Sequence, residues 1–413
     1  MSSARACLLI VLILMFSSAF YAFGEVSVQG QSSDDWLGWA RVAWRYYQPG
    51  VGVNPSTGLH YARSDWHRFT DWDLGIYVHA ILNAERLGLV ARQGVEDWGV
   101  DFRLEKVLRF LETRSITPTR EPYMQYEAET GNVPSDIQGK AAHPSDFGRL
   151  LLALDDLRRS RPDLASRIQS IVARYDCGLI TIDNWFAADD MYPFYASQGF
   201  HAFGFATPKL KDLKSLGGGS FVDVYGELIP KAWVTSEPLL AAVLGNRISP
   251  LYNDYCGRVF RAQEKRYRNT GVLTTFSEGV YPAPHYYVYQ WVVISTGETW
   301  CIYAANRVDG PAVVYTKIAF AFHAIYRNEY TATLMGYVSR LQSSGGFYEG
   351  VMDNDRSTLP VLCDKTNGMI LEAAGYALQG PIPEFRAPIA ILAVVLVLTI
   401  LAARMFKRKA HHA

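Results

Sequence analysis

Four carboxylates stand where acid–base chemistry is to be sought: Asp73 in Trp72-Asp73-Leu74, Asp146 in Ser145-Asp146-Phe147, Glu237 in Ser236-Glu237-Pro238, and Glu349 in Tyr348-Glu349-Gly350. Cleaving a glycosidic bond takes two carboxyl groups across it, one protonated as acid and one ionised as base or nucleophile. Glu237 is the expected acid, because Pro238 and the apolar Leu239-Leu240 favour a desolvated carboxyl with a raised pKa. Asp73, set between Trp72 and Leu74, is the expected base. Each of the four is also a residue type that caps a helix or pairs with a cation.

Aromatic side chains offer flat faces to sugar rings and a polar edge to hydroxyls. Trp66, Trp72, Tyr192, Tyr195, Trp291 and Trp300 are expected in or beside the loops rimming a cavity, with Asn367 of Thr366-Asn367-Gly368. Core packing is the ordinary fate of most tryptophans. His60, His67, His79 and His143 are scattered and read as structural. Asp353-Asn354-Asp355 lacks the glycine and terminal glutamate of a calcium loop, and Gly217-Gly218-Gly219 lacks the Lys-Ser/Thr of a phosphate cradle. No metal and no cofactor is expected.

The elements that must position these residues are helices. Leu104, Val107, Leu108 and Leu111 recur at three and four, as do Phe147, Leu150, Leu151 and Leu154, each giving one apolar face. Residues 72–84, 311–326 and 369–378 are apolar nearly all round and must be enclosed. Alternation of the two kinds predicts an all-α (α/α)6 toroid of ten to twelve helices, with inner helices covered by outer ones. Strand-like pieces such as 178–182 are short and few. Capping residues at 70–73, 144–146, 235–238, 309–311 and 366–368 precede the apolar stretches, so parallel inner helices would gather their N-termini around one hollow.

The ends suggest export. Residues 6–24 are an uncharged apolar run after Arg5, read as a signal peptide within 1–24 or as an uncleaved signal anchor. Residues 387–406 read as a C-terminal transmembrane helix and 407–413 as a basic cytoplasmic tail. The expectation is a single-pass protein of the cell membrane whose domain, 33–380, lies on the extracytoplasmic face. Forty basic and forty acidic residues balance, which excludes a nucleic-acid-binding footprint. Cys177, Cys256, Cys301 and Cys363 allow three disulfide pairings or buried free thiols.

From Trp36 to Gly380 the chain resembles domain-of-unknown-function family 3131. The resemblance rests on Trp72-Asp73-Leu74, on the run from Ser145 to Leu154, on Ser236-Glu237-Pro238, on Gly346-Phe347-Tyr348-Glu349-Gly350, and on the run from Thr366 to Ala373. It implies a glucoamylase-like (α/α)6 toroid, some relatives of which hydrolyse glucans. It also implies a Gly-Tyr-Glu-x-Tyr-Ala segment, where this chain has Asp190-Met191-Tyr192-Pro193-Phe194-Tyr195-Ala196. Pro193 thus replaces a glutamate for which Asp189 or Asp190 can stand in. The expected function is a carbohydrate-active protein, possible glycoside hydrolase; the alternative is a non-catalytic glycan-binding or scaffolding protein.

Overall fold

A computed structural model of the chain describes residues 33–93, 98–245, 247, 249–284 and 286–382. From Trp36 onward the described residues form one compact unit. Its helices are α1 (Ser33–Trp44), α2 (Asp71–Arg86), α3 (Val100–Thr113), α4 (Pro144–Ser160), α5 (Ala165–Val172), α6 (Cys177–Thr181), α7 (Tyr192–Ala202), α8 (Ser236–Leu244), α9 (Pro250–Thr270), α10 (Thr316–Tyr326), α11 (Glu329–Val338) and α12 (Asp364–Gln379).

Six of them close a ring. α2 packs on α4, α4 on α7, α7 on α8, α8 on α10, α10 on α12, and α12 back on α2. Every residue of α8 is buried, as is α2 continuously from Asp71 to Ala84, whereas α4, whose spacing suggested a single apolar face, is nonetheless enclosed from Phe147 to Leu157 with Arg149, Asp155 and Asp156 buried in the ring. Helices with one apolar stripe cover them, α3 lying on α2, α5 on α4, α9 on α8 and α11 on α10. Trp36 and Trp39 of α1 meet the ring of Phe320 on α10 edge-on. Between α7 and α8 the covering position holds a 3-10 segment, Leu213–Gly219, and a hairpin of β3 (Phe221–Val224) with β4 (Glu227–Pro230).

Strands are more numerous than the sequence suggests, eleven among the described residues, all pairing antiparallel. β1 (Arg68–Phe69) joins β2 (Tyr126–Glu127), and β5 (Glu278–Val280), β6 (Tyr287–Val293) and β7 (Thr299–Tyr303) form a sheet. β8 (Val313–Tyr315), β9 (Gln342–Ser343), β10 (Gly346–Met352) and β11 (Thr358–Leu362) form another.

These findings correct several expectations. The all-α description ending in a transmembrane helix does not stand. Four small sheets belong to the fold, and among the described residues no helix is long and apolar enough to cross a membrane. Assignment to the cell membrane as a single-pass protein is withdrawn with it. The signal segment 1–24, the span 387–406 and the tail 407–413 lie outside the described residues. Residues 311–326 divide into a strand and a helix, because Val313 and Val314 pair with Met352 and Val351 of β10 before α10 starts. The strand-like 178–182 is helical, Asp176 capping α6 by accepting from the Leu179 N–H at 3.0 Å. Cys177, Cys256, Cys301 and Cys363 are buried free thiols.

Candidate active site

A cavity of about 850 Å³ opens where ring helices begin. The starts of α2, α4, α7 and α12 supply Trp72 and Asp73, Ser145 and Asp146, Asp190 and Tyr192, and Asp364 and Lys365. β5 and β6 supply Glu278, Tyr287, Tyr289 and Trp291, and β10 supplies Glu349.

Local chemistry fixes each start. Thr70 caps α2 in a reciprocal box, the Asp73 carboxylate accepting from the Thr70 N–H at 2.8 Å and the Thr70 hydroxyl accepting from the Asp73 N–H at 3.4 Å. His143 caps α4 by accepting from the Ser145 N–H at 3.3 Å, and Pro144, which needs no partner for a missing N–H, opens the helix. Asp190 accepts from the Tyr192 N–H at 2.8 Å where α7 starts. On β6 the two-residue period places Tyr287, Tyr289 and Trp291 on the cavity face and the buried Val288 and Gln290 on the other.

Electrostatics separate the carboxyls. Burial raises Asp73 to about 6, helped by the charge of Asp364 and opposed by Lys365, whose Nζ lies 3.9 Å from Oδ1. Asp146 is reachable from the cavity yet enclosed enough that burial lifts its carboxyl to about 8. Burial also lifts Asp190 to about 7 and Asp364 to about 8. Glu278 goes the other way: burial works against its charge, but Lys365, donating at 2.9 Å, and Lys317 hold it below the usual carboxylate range. Lys365 also donates to the Tyr287 hydroxyl at 2.7 Å. Behind Asp364 lies His60, which burial lowers to about 4; its Nε2 is 3.2 Å from Asp364 Oδ2 but not aligned as a hydrogen bond.

Three buried polar atoms on cavity-lining residues have no hydrogen-bond partner within the protein, Trp72 Nε1, Asp73 Oδ1 and the Tyr192 hydroxyl, while Asp364 Oδ2 faces His60. An unmet buried polar group costs about 1–3 kcal/mol, so such atoms collected around one hollow mark a place built to be completed by a polar ligand. Among the described residues no cluster of side chains is arranged to ligate a metal ion.

Of the residues singled out in the sequence, Asp73, Asp146, Glu349, Trp66, Trp72, Tyr192 and Trp291 line the cavity. Glu349 is held there by the Val280 N–H at 3.1 Å and by the Thr366 hydroxyl. Glu237 is not among them, which revises its reading as the acid. It is 1 % exposed, paired with Lys317 Nζ at 2.5 Å, and covered by Ser277, whose hydroxyl donates to it at 3.1 Å. Burial raises its pKa against the pull of Lys317, yet nothing in this pairing offers the proton to a substrate. Tyr195 packs behind Trp72 with its hydroxyl bonded to Arg149. Trp300 lies under Arg266, 4.5 Å from guanidinium to ring, and packs edge-on against Phe276. Asn367 lies inside α12, not ahead of it, and clamps β10 to the helix start: its carbonyl accepts from the Phe347 N–H at 2.8 Å and its amide donates to the Cys363 carbonyl at 2.9 Å.

Sequence reasoning passed over Glu278, Asp364, Lys365, Tyr287 and Tyr289. The alternation from Tyr287 to Trp291 was a legible strand signal. Glu278 carried none, since its place follows from pairing opposite Tyr289. Of the two aspartates before Pro193, Asp190 lines the cavity, whereas Asp189 binds Lys211 at 2.8 Å and the Gly217 N–H at 2.9 Å.

The profile of the family described as "Protein of unknown function (DUF3131)" matches residues 38–380. The chain belongs to the DUF3131 family. No curated protein matches the sequence. Its structural neighbours are glucoamylase-like and endo-β-1,2-glucanase toroid proteins. The endo-β-1,2-glucanase of Chitinophaga pinensis, solved with sophorotriose and glucose, is 14% identical with a TM-score of 0.59, over 86% of this chain and 94% of that one. The endo-β-1,2-glucanase of Talaromyces funiculosus, solved with sophorose, is 11% identical with a TM-score of 0.60, over 85% and 84%. A glucoamylase-like protein of Bacteroides uniformis is 13% identical with a TM-score of 0.63, over 86% and 94%. At such identities the likeness is one of fold.

Proposed function

We propose that this DUF3131 protein is a glucan-cleaving glycoside hydrolase whose active site is the cavity at the helix starts. The observation that carries the reading is the set of buried atoms of Trp72, Asp73 and Tyr192 without a hydrogen bond inside the protein, interleaved with the rings of Trp66, Tyr289 and Trp291. Sugar hydroxyls meet the first, and pyranose faces meet the second. A volume of about 850 Å³ fits within the usual range for a small-ligand pocket. The glucanases that share the fold are solved with β-1,2-linked glucose oligomers, which makes β-1,2-glucan the first substrate to try.

In this reading Asp146, protonated at neutral pH, gives its proton to the leaving oxygen, and Asp73 is the ionised base. The Glu278–Lys365 pair, bound to Tyr287, fixes the field between them. Release of reducing ends from β-1,2-glucan and from α- and other β-glucans is the assay, and Asp146→Asn should lower kcat by about 10²–10⁴-fold. A parent protein that neither cleaves nor binds any member of such a panel would remove the proposal. A non-catalytic glycan-binding role is the second reading, favoured by Pro193 at the position of the expected glutamate. Glycan binding retained in the parent, in Asp73→Asn and in Asp146→Asn, with no turnover by any of them, would decide for it.

A further inference from the structure

Three aromatic side chains from one stretch of chain line the cavity at graded exposure. Trp291, Tyr289 and Tyr286 are 7, 37 and 61 % exposed, which orders them from the enclosed part of the cavity to its mouth. Trp291 and Tyr289 stack on each other, ring centroids 5.7 Å apart and 11° from parallel. Tyr286 stands alone. Among the described residues no large apolar side chain is more exposed, and its ring and hydroxyl have no partner there.

The backbone holds Tyr286 in this position against its own preference. Its φ is +50°, in the left-handed region that residues with a Cβ avoid. The turn between β5 and β6 enforces it: the Tyr286 N–H donates to the Ala283 carbonyl at 2.9 Å, and the Tyr286 carbonyl accepts from the Tyr281 N–H at 3.1 Å. Six non-glycine residues among those described have such a φ. In the other five the side chain is fastened to the protein. Arg120, Arg327 and Arg356 donate to backbone carbonyls, and Tyr225 and Trp300 pack against each other. Tyr286 alone of the six carries a strained backbone and gives its side chain nothing inside the protein. Glycine would adopt this turn freely and leave the mouth of the cavity bare. Strain kept at a site without an internal contact to justify it points to a contact made with a ligand.

We propose that Tyr286 is the outer stacking platform of the cavity, carrying one sugar ring of a longer saccharide whose next units reach the enclosed part. One pyranose covers one aromatic face, and the unpartnered atoms of Trp72, Asp73 and Tyr192 are buried, so a ligand that fills both floor and mouth has more than one sugar. The substrate is then a chain held along its length, and Tyr286 sets the preference for length. This rests on the reading of the cavity as a saccharide site and adds the size of what it binds.

The test is calorimetric titration of the full chain with sophorose, sophorotriose and oligomeric β-1,2-glucan, and with maltodextrins and cellodextrins of matched lengths. Affinity in the parent protein is expected to rise with chain length. Tyr286→Ala, which keeps the Cβ and the turn, should weaken the long oligomer by about tenfold and leave the disaccharide within about twofold, while Tyr286→Phe, which keeps the ring face, should match the parent. Tyr286→Gly should melt higher than the parent, on the order of 2 °C, because glycine relieves the turn. Long-oligomer affinity unchanged in Tyr286→Ala overturns the proposal. So does a melting temperature lowered in both Tyr286→Ala and Tyr286→Gly, which would make the ring a prop of the fold. The length series in the parent needs no variant: affinity that does not rise with length sinks this inference and leaves the saccharide reading standing, whereas no binding by any oligomer counts against both.

Discussion

Asp73 and Asp146 occupy the same place in their helices, the third residue of α2 and of α4, and differ in what surrounds the carboxyl. Asp73 accepts two hydrogen bonds from Thr70 and faces Lys365, which keeps its pKa near 6 although it is 3 % exposed. Asp146 has one hydroxyl donor and no cation within ion-pair distance, so burial, opposed by the charge of Lys365, carries it to about 8. An acid must keep its proton and a base must have lost one. Turnover should therefore fall below about 6, where Asp73 is protonated, and above about 8, where Asp146 is ionised. A kcat/KM profile with a single optimum between those limits supports the assignment. A profile flat from pH 5 to 9 would contradict it. Asp73→Asn should abolish the acid limb selectively in whatever activity remains.

At the scale of elements, the site is set by how closely the ring helices approach. α4 and α7 meet through Gly148 and Gly199: a Cβ built on Gly199 would overlap the Gly148 carbonyl oxygen, and one on Gly148 would lie 2.6 Å from the Ala196 carbonyl oxygen. That contact sets the spacing of the helix starts bearing Asp146 and Asp190. Gly199→Ala should destabilise the protein by about 1–3 kcal/mol, through overpacking that neither backbone can relieve. Thermal unfolding of the variant measures this, and an unchanged midpoint would show that the helices separate freely. The glycine pair is visible in the sequence, but nothing there says that the two face each other. Asn367 teaches the converse lesson: its motif was conspicuous, and the amide proves to fasten β10 to α12.

Taken whole, the molecule buries isolated ion pairs such as Asp71–Arg114 and Glu237–Lys317, and gathers larger groups of buried charge at the cavity and in a cluster within the ring. In the cluster His79 lies between Asp156 at 3.0 Å and Glu372 at 3.2 Å, and Arg149 and Arg247 complete the set. There the carboxyls are satisfied, and Asp156 and Glu372 are held low, burial being outweighed by His79 and the arginines. The cavity is different. Asp73, Asp146, Asp190 and Asp364 all have raised folded-state pKa values, so the native state binds more protons than the unfolded chain between about 4 and about 8. The stabilisation they contribute is complete below the unfolded value and is lost as pH rises through the folded ones. Asp364→Asn removes one such group and should raise the melting temperature at pH 8 relative to the parent, on the order of 2 °C, with little effect at pH 4. Melting curves at the two pH values check the sign; an equal shift at both would show that the carboxyl's ionisation is not the cause.

The sequence by itself determined which segments had to be enclosed, because an all-apolar helix can satisfy its surface only inside other helices, and it determined that Asp73 and Asp146 would stand at helix starts, because capping is a local matter of a few residues. It determined the family as well, through motifs spread from Trp72 to Ala373. Tertiary structure alone decided that Glu237 is sealed against Lys317, that Glu278, Asp364 and Lys365 join the cavity wall, and that strands intervene within the helical ring. The physical reason is that burial and charge pairing depend on neighbours distant in the chain. Lys317 is 80 residues from Glu237 and Lys365 is 87 from Glu278, and no local pattern encodes a contact of that range.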